Sequence, residues 1–202
     1  PGAGKSFVAD SMALPGQLGY KEINSDIEFT RYMKSAGLTD EKGTVILDPN
    51  RKFERGVIRT VAKRHTNAKQ SGALIGRLGL VIDGTGANSG KLLKQKKTLE
   101  SLGYECLMVY VNLSLEGSIE ADRQRGLDGD RTIGPELVTT KWKDLQSGLD
   151  PFRKSFGKLF FEIDNSVREK TPTLVRKVLN FIVKWSKTMP KNKAAKKWMD
   201  AN

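Results

Sequence analysis

The sequence predicts an α/β fold in which helices cover both faces of a parallel sheet. Short apolar segments alternate with longer helical ones, and a glycine-rich turn opens the chain directly before a helix. Several of the apolar segments are nearly continuous, as in strands that are buried on both faces. With 202 residues, 38% hydrophobic and 29% charged, the chain has the length and composition of one globular domain. We assign residues 1–188 to this domain and 189–202 to a basic tail.

The predicted helices follow from apolar residues that recur every three or four positions. Pro15-Gly16 ends the first helix and Gly37 ends the second, because proline and glycine interrupt helices. The third carries an apolar stripe through Val57, Ile58 and Val61 on a basic surface. In chain order, the helices lie at about 5–14, 28–36, 53–71, 89–102, 115–125, 135–146 and 173–185.

The predicted strands are apolar runs bounded by turn residues. The clearest run, at 78–83, ends in the turn Gly84-Thr85-Gly86. We expect the residues after Pro190 to form a loosely held helix or a disordered tail. In chain order, the strands lie at 19–24, 78–83, 104–112 and 159–164.

The opening residues match the last six positions of the phosphate-binding pattern G-x-x-x-x-G-K-[ST], and they are Pro1-Gly2-Ala3-Gly4-Lys5-Ser6. The glycines let the backbone curl until several N–H groups point at one phosphate. Lys5 would add a mobile cation for the outer phosphates, and Ser6 would supply a hydroxyl for Mg²⁺. The alternative is a glycine turn that caps an ordinary helix. Because a strand normally precedes such a loop, we expect the native protein to have residues upstream of Pro1.

Two carboxylates follow predicted strands, where an open parallel sheet places its ligand crevice. Asp83 could hold Mg²⁺ there, or it could cap the turn that its Asp-Gly pair begins. Asp26 could accept the proton of an acceptor hydroxyl during phosphoryl transfer, or Ser25-Asp26 could be the N-cap of the next helix. Thr85 and Gly86 would then face the crevice and contact the substrate.

Arginines are the candidates for stabilising the charge of a transferred phosphoryl group. Arg123, Arg125 and Arg131 bracket a Gly/Asp-rich segment, and a lid at about 122–134 could close them over a triphosphate and exclude water. The charged run that contains Arg123 could equally be a surface helix. Arg31 could bind an anionic acceptor, or it could be a solvated helix arginine.

The single cysteine and the single histidine indicate no metal or disulfide chemistry. Cys106 lies in an apolar run, so we expect a buried thiol, no internal disulfide and a reducing, cytoplasmic compartment. His65 lies on a basic helix face without zinc-ligand spacing, so we expect a solvated side chain. No uninterrupted apolar run approaches the roughly 20 residues that a membrane helix needs.

The net charge of +12 lies mostly near the C-terminus. Residues 167–202 contain ten Lys or Arg residues and two acidic residues. Such a segment could contact nucleic acid or stay solvated, and Trp185 and Trp198 are too sparse among the lysines for a stacking platform. A kinase that handles anionic substrates would also be basic.

These features together resemble the P-loop kinases of the zeta-toxin and polynucleotide-kinase group over about residues 1–185. The family follows its strand-two aspartate closely with an aromatic residue and then an arginine, whereas here Phe29 and Arg31 come three and five residues after Asp26. The residues that carry the resemblance are Pro1-Gly2-Ala3-Gly4-Lys5-Ser6, Asp26, Val81-Ile82-Asp83-Gly84-Thr85-Gly86-Ala87-Asn88, Arg123, Arg125, Arg131 and Ile163-Asp164-Asn165-Ser166.

The resemblance implies a three-layer P-loop NTPase sandwich whose parallel sheet has the strand order 2-3-1-4-5, with the first strand largely missing from this chain. It also implies ATP on the loop, Mg²⁺ beside Ser6 and an arginine-bearing lid. The ATP-binding residues that it implies are Gly2, Ala3, Gly4, Lys5, Ser6, Phe7 and Asn165.

The sequence thus predicts a kinase that transfers the γ-phosphoryl group of ATP to a hydroxyl acceptor. Lys5 would bind the phosphates, Ser6 and Asp83 would hold Mg²⁺, and Asp26 would act as the base. A polynucleotide 5′-hydroxyl, a nucleotide sugar, a small metabolite and a protein side chain all stay open as acceptors. The alternatives are a nucleotide-dependent switch or motor ATPase and a nucleic-acid-binding module with a degenerate P-loop. The chain has no Asn-Lys-x-Asp motif, which argues against a GTPase.

Overall fold

The protein is a mixed α/β structure. The computed structural model describes residues 3–39, 45, 49–127 and 132–201. The strands of this part of the chain are β1 (Lys21–Ile23), β2 (Leu80–Ile82), β3 (Met108–Asn112) and β4 (Phe160–Asp164). Its α-helices are α1 (Lys5–Met12), α2 (Leu14–Leu18), α3 (Ser25–Ser35), α4 (Lys52–Ile75), α5 (Ser89–Ser101), α6 (Leu115–Leu127), α7 (Pro135–Ser147), α8 (Leu149–Phe156), α9 (Thr171–Trp185) and α10 (Lys193–Met199).

The chain divides into two compact units. The first unit comprises Pro1–Met12, Thr85–Asp122 and Gly134–Asn202. The second unit comprises Ala13–Gly84 and Arg123–Ile133. Among the described residues, each unit contains one pair of strands, and each pair is parallel, as the alternating pattern of the sequence predicts.

In the second unit, β1 and β2 pair in register from Lys21 opposite Leu80 to Ile23 opposite Ile82. Helices α3 and α4 form the connection between these strands and pack against each other, and α4 also packs on β1. The apolar stripes of the two helices meet in a buried cluster that consists of Phe29, Met33, Leu38 and Ala62. Of the apolar stripe that predicts α4, Ile58 packs against this cluster, whereas Val57 and Val61 are exposed.

In the first unit, β3 and β4 pair in register from Met108 opposite Phe160 to Asn112 opposite Asp164. Helix α9 packs on β4 and on α1 through apolar residues that recur with helical spacing. The apolar side chains buried most completely in this unit are Val138, Phe152, Ile163 and Ile182. They come from α7, α8, β4 and α9, so the core draws on elements far apart in the sequence.

The predicted first helix is two helices. Helix α1 ends at Met12, Ala13 has a left-handed backbone with φ 44°, and α2 begins at Leu14. Pro15 lies in the first turn of α2, where its missing N–H would have no helical partner and its fixed φ suits a helix. The proline thus starts a helix here instead of ending one.

Two helices in the first unit differ from expectation. Helix α8 was not predicted, although it buries Leu149, Phe152 and Phe156 along one face. Its position directly after Gly148, with Pro151 in its first turn, conceals a short helix from a periodicity test. The residues after Pro190 form a helix, α10, which Asn192 caps with its side-chain oxygen.

Cys106 lies before β3, which begins at Met108 and not at residue 104 as predicted. Its side chain is half-buried. Burial raises the pKa of the Cys106 thiol to about 11, and the Glu100 carboxylate adds to the effect. In the described ranges, every helix is either too short or too polar to cross a lipid bilayer.

We expect Phe29→Ala to destabilise the protein by about 3–5 kcal/mol, because Phe29 is 8% exposed and its loss leaves a cavity in the α3–α4 core. Phe53→Ala in the same unit is the matched control, since Phe53 is 83% exposed and should cost less than about 0.5 kcal/mol. Urea unfolding measures both. Equal losses in the two variants would contradict the assignment of Phe29 to the core.

We expect alkylation of Cys106 by iodoacetamide to follow a titration midpoint of about 11 in the folded protein and 9.0 in urea. The fold disfavours the thiolate, so the stability that Cys106 contributes is complete below pH 9.0 and is lost as the pH rises to about 11. Alkylation rates across this pH range measure the midpoint. The same midpoint in folded and unfolded protein would contradict the burial of the thiol.

Candidate functional site

The glycine-rich loop leads directly into α1, as predicted. Gly4 has φ 79°, a left-handed conformation that glycine adopts readily. Helix α1 begins at Lys5, and the Gly4 carbonyl accepts its first hydrogen bond, from Val8 N–H at 3.1 Å. Lys5 is half-buried, whereas Ser6 and Phe7 are exposed. The loop therefore presents its lysine and serine in the first turn of a helix, the end that favours anions.

The Asn165 side chain holds this loop in place. It follows β4, and its Nδ2 donates a 2.9 Å hydrogen bond to the carbonyl oxygen of Ala3. Its Oδ1 accepts a 2.8 Å hydrogen bond from Thr171 Oγ1, and Thr171 is completely buried at the start of α9. This chain of hydrogen bonds ties the loop to β4 and α9. Contact between Asn165 and ATP stays a prediction, and Thr171 was not among the predicted residues.

Space around Gly4 excludes a larger residue. A Cβ atom at Gly4 would lie 2.3 Å from Asn165 Nδ2, closer than real Cβ contacts come. The positive φ would also strain any other residue type. Two independent constraints thus select glycine at this position.

In the second unit, Asn24 joins the two strand ends that carry the predicted carboxylates. Its Nδ2 donates a 2.9 Å hydrogen bond to Asp83 Oδ2. Its Oδ1 accepts a 2.9 Å hydrogen bond from the backbone N–H of Asp26 and caps α3. The N-cap is therefore Asn24, and the assignment of the cap to Ser25-Asp26 is wrong. Asn24 was not among the predicted residues, although the preference of asparagine for N-caps offered a signal.

The carboxylate of Asp26 pairs with Arg59 of α4. Asp26 Oδ1 accepts a hydrogen bond from Arg59 Nη1, and the guanidinium lies 3.8 Å from the ring centroid of Phe29. Stacking on the ring holds the arginine in one orientation. The Asp26 side chain remains 72% exposed, so its second oxygen faces solvent. No local pattern in the sequence pointed to Arg59, which is 33 residues away.

Arg31 belongs to a separate polar cluster between α3 and α4. Its Nη2 lies 2.8 Å from Glu28 Oε2 and 2.8 Å from His65 Nδ1. The buried Glu28 Oε2 also lies 3.2 Å from His65 Nδ1, and it has no hydrogen bond of regular geometry. Tyr32 Oη lies 3.1 Å from His65 Nδ1. His65 is therefore hydrogen-bonded, and it is also half-buried, so the expectation of a solvated side chain is wrong. A substrate contact of Arg31 stays a prediction.

Two of the lid candidates lie near the end of α6. Arg123 and Arg125 are exposed on this helix, which extends to Leu127. The neighbouring Asp122 is buried and accepts a 3.0 Å hydrogen bond from Gly134 N–H. Arg131 and Gly2 lie outside the described residues, and the lid stays a prediction.

The other substrate candidates are Thr85 and Gly86, which follow β2. Thr85 is exposed. Gly86 has φ 69°, and a Cβ there would lie 3.3 Å from Leu145 Cδ2. The turn after Asp83 therefore needs glycine for its backbone conformation.

Each unit holds part of the predicted site. The first unit contains the loop with its Asn165 support, together with Thr85 and Gly86. The second unit contains Asp26 and Asp83 with their partners.

A scan against models of protein families finds no match to this chain, and a search of curated proteins finds none either.

We expect Gly4→Ala to disrupt the loop, because the added Cβ would displace Asn165 from the Ala3 carbonyl and a left-handed alanine costs about 1–2 kcal/mol. Gly16→Ala is the matched control, since a Cβ at Gly16 meets nothing within 4 Å. Urea unfolding should show a loss only for Gly4→Ala. The NMR signal of the Asn165 side-chain amide, assigned by its loss in Asn165→Ala, should shift in Gly4→Ala and not in Gly16→Ala. An unshifted signal in Gly4→Ala would contradict the packing of the loop.

Proposed function

We propose that the protein is an ATP-dependent kinase that transfers the γ-phosphoryl group to a hydroxyl acceptor. The observation that carries the proposal is the turn at Gly4, which is left-handed, packed against Asn165 and followed at once by a helix that begins with Lys5 and Ser6. A phosphate-binding loop consists of a curled backbone, a cation and a hydroxyl group. A glycine that only capped a helix would not need this support, in which Asn165 after β4 bonds to the loop and Thr171 of α9 bonds to Asn165.

The strand pairing also supports the proposal. In a sheet of order 2-3-1-4-5, the neighbours that do not involve strand one are 2 with 3 and 4 with 5. Because strand one of that order is the one missing from this chain, β1 to β4 take the places of strands 2 to 5. The pairs β1–β2 and β3–β4 then correspond to these two pairs of neighbours, and both are parallel as that order requires. The proposed fold is accordingly the three-layer P-loop sandwich.

In the proposed reaction, the loop binds the phosphates of ATP. Lys5 neutralises charge on the outer phosphates, and the backbone N–H groups of the first turn of α1 donate to phosphate oxygens. Ser6 and Asp83 fit Mg²⁺ chemically, because both present oxygen ligands and Asp83 has its carboxylate oriented by Asn24. When bound, Mg²⁺ would offset the negative charge of the β- and γ-phosphates.

Asp26 would act on the acceptor. Its exposed carboxylate oxygen can accept the proton of an alcohol, while the ion pair with Arg59 orients the side chain. Such a base aligns the attacking oxygen as well as deprotonating it. Arg123, Arg125 and Arg131 are the candidates for stabilising charge on the transferred group, and Arg31, Thr85 and Gly86 for contacting the acceptor. The half-buried thiol of Cys106 agrees with a reducing, cytoplasmic compartment.

We expect Lys5→Met to weaken Mg·ATP binding and Asp26→Asn to leave it unchanged while lowering transfer about 10²–10⁴-fold, the usual contribution of a general base. Calorimetry with Mg·ATP measures binding. Transfer from γ-labelled ATP, tested on an oligonucleotide, a nucleotide sugar, a sugar alcohol and a serine peptide, measures activity and narrows the acceptor class.

Matched controls remove the same groups from exposed positions. Lys158→Met and Asp10→Asn should bind and transfer as the unmodified protein does, because both side chains are exposed and lie outside the proposed site. Hydrolysis of ATP without any labelled acceptor would favour a switch or motor ATPase. Absence of heat with Mg·ATP would refute the proposed kinase activity. Normal transfer by Asp26→Asn would refute the role of Asp26 as the base.

A further inference from the structure

Five exposed lysines concentrate in the C-terminal segment of the first unit. We call this set the C-terminal lysine surface. None of its side chains has an acidic partner in the part of the chain that the structure describes. Its members are Lys187, Lys191, Lys193, Lys196 and Lys197.

The segment that carries these lysines is anchored to the first unit. Glu105 Oε1 accepts hydrogen bonds from the backbone N–H groups of Lys191 and Asn192. Asn192 Nδ2 donates to the Glu100 carbonyl at 2.7 Å and to the Tyr104 carbonyl at 3.2 Å. Its Oδ1 accepts from Ala194 N–H at 2.8 Å and so begins α10. The charges therefore sit on an ordered support, in contrast to a free tail.

The orientation of α10 turns its lysines away from the protein. A Cβ at Gly103 would lie 3.1 Å from Ala195 N, so this side of α10 packs against the turn after α5. Lys193, Lys196 and Lys197 are spaced i, i+3 and i+4, which places them together on the opposite face. Like charges on one exposed face repel each other unless an anion binds them.

We propose that the C-terminal lysine surface binds the phosphate backbone of duplex nucleic acid without sequence preference. Exposed lysines that lack acidic partners can neutralise phosphates and release their counterions, which is the main source of non-specific affinity. The lysine face of α10 presents charge alone, whereas the partly exposed Trp198 and Met199 lie on other faces of this helix, so binding to a bilayer is the competing outcome that the test separates. Exposed lysines on α5, in the same unit, extend the positive charge, and they are Lys91, Lys94 and Lys97.

The test compares two triple variants in their binding of a fluorescein-labelled 30-base-pair DNA duplex, measured by anisotropy over a range of salt concentrations. The first variant carries Lys193→Gln, Lys196→Gln and Lys197→Gln. The matched control carries Lys52→Gln, Lys63→Gln and Lys69→Gln, three exposed lysines of α4 in the second unit. Circular dichroism and urea unfolding check that both variants fold.

We expect the plot of log affinity against log salt to become shallower by about 2 to 3 in the first variant, because each lost phosphate contact removes about 0.9 from the slope. The affinity at low salt should fall at least about tenfold, whereas the control should bind as the unmodified protein does. Lys5→Met should also bind the duplex normally, so this result is independent of the proposed kinase activity.

Four outcomes would overturn the proposal. An unchanged slope in the first variant would show that these lysines do not contact phosphates. An equal loss in the α4 control, or a loss in Lys5→Met, would place the binding elsewhere on the protein. Binding to phosphatidylserine vesicles without binding to the duplex would identify the surface as a lipid-binding one.

Discussion

Parallel pairing of the strands is the constraint on which the arrangement of polar residues depends. Parallel strands need long crossover connections, and their carboxyl ends lie at the same edge. In the second unit, α3 and α4 supply the crossover, so that Asn24 after β1 lies beside Asp83 after β2. In the first unit, the register of β3 with β4 places Asn112 opposite Asp164, directly before Asn165. Chemistry-bearing residues therefore collect at strand ends because the topology brings those ends together.

Two asparagines then fix local geometry in the same way. An asparagine side chain carries both a donor and an acceptor, so one residue can join two elements. Asn24 donates to Asp83 and accepts from the first turn of α3, and Asn165 donates to the glycine loop and accepts from Thr171. Aspartate would lose the donor and alanine both groups. These contacts orient a carboxylate in one unit and the glycine turn before α1 in the other.

Much of the fold could be predicted because its signals are local. The strands, the long helix α4 and the loop before α1 follow from apolar runs, helical stripes and a short glycine pattern. The errors also have local causes. Pro15 lies in the first turn of a helix, although a proline there predicts a helix end, and Pro151 interrupts the pattern that would have indicated α8. A proline allows both outcomes, and neighbouring packing selects one.

The candidate site was only half readable from the sequence. The sequence by itself determined which residues are candidates for binding phosphate and for accepting a proton, because the Gly-Lys-Ser pattern and the strand-end aspartates supply the chemical groups that these roles need. Only the tertiary structure decided which side chains orient them. Arg59 meets Asp26 across 33 residues, Asn24 meets Asp83 across 59, and Asn165 meets Ala3 across 162. Hydrogen bonds and ion pairs act over a few ångströms, so partners this far apart along the chain are chosen by the packing of the elements that carry them.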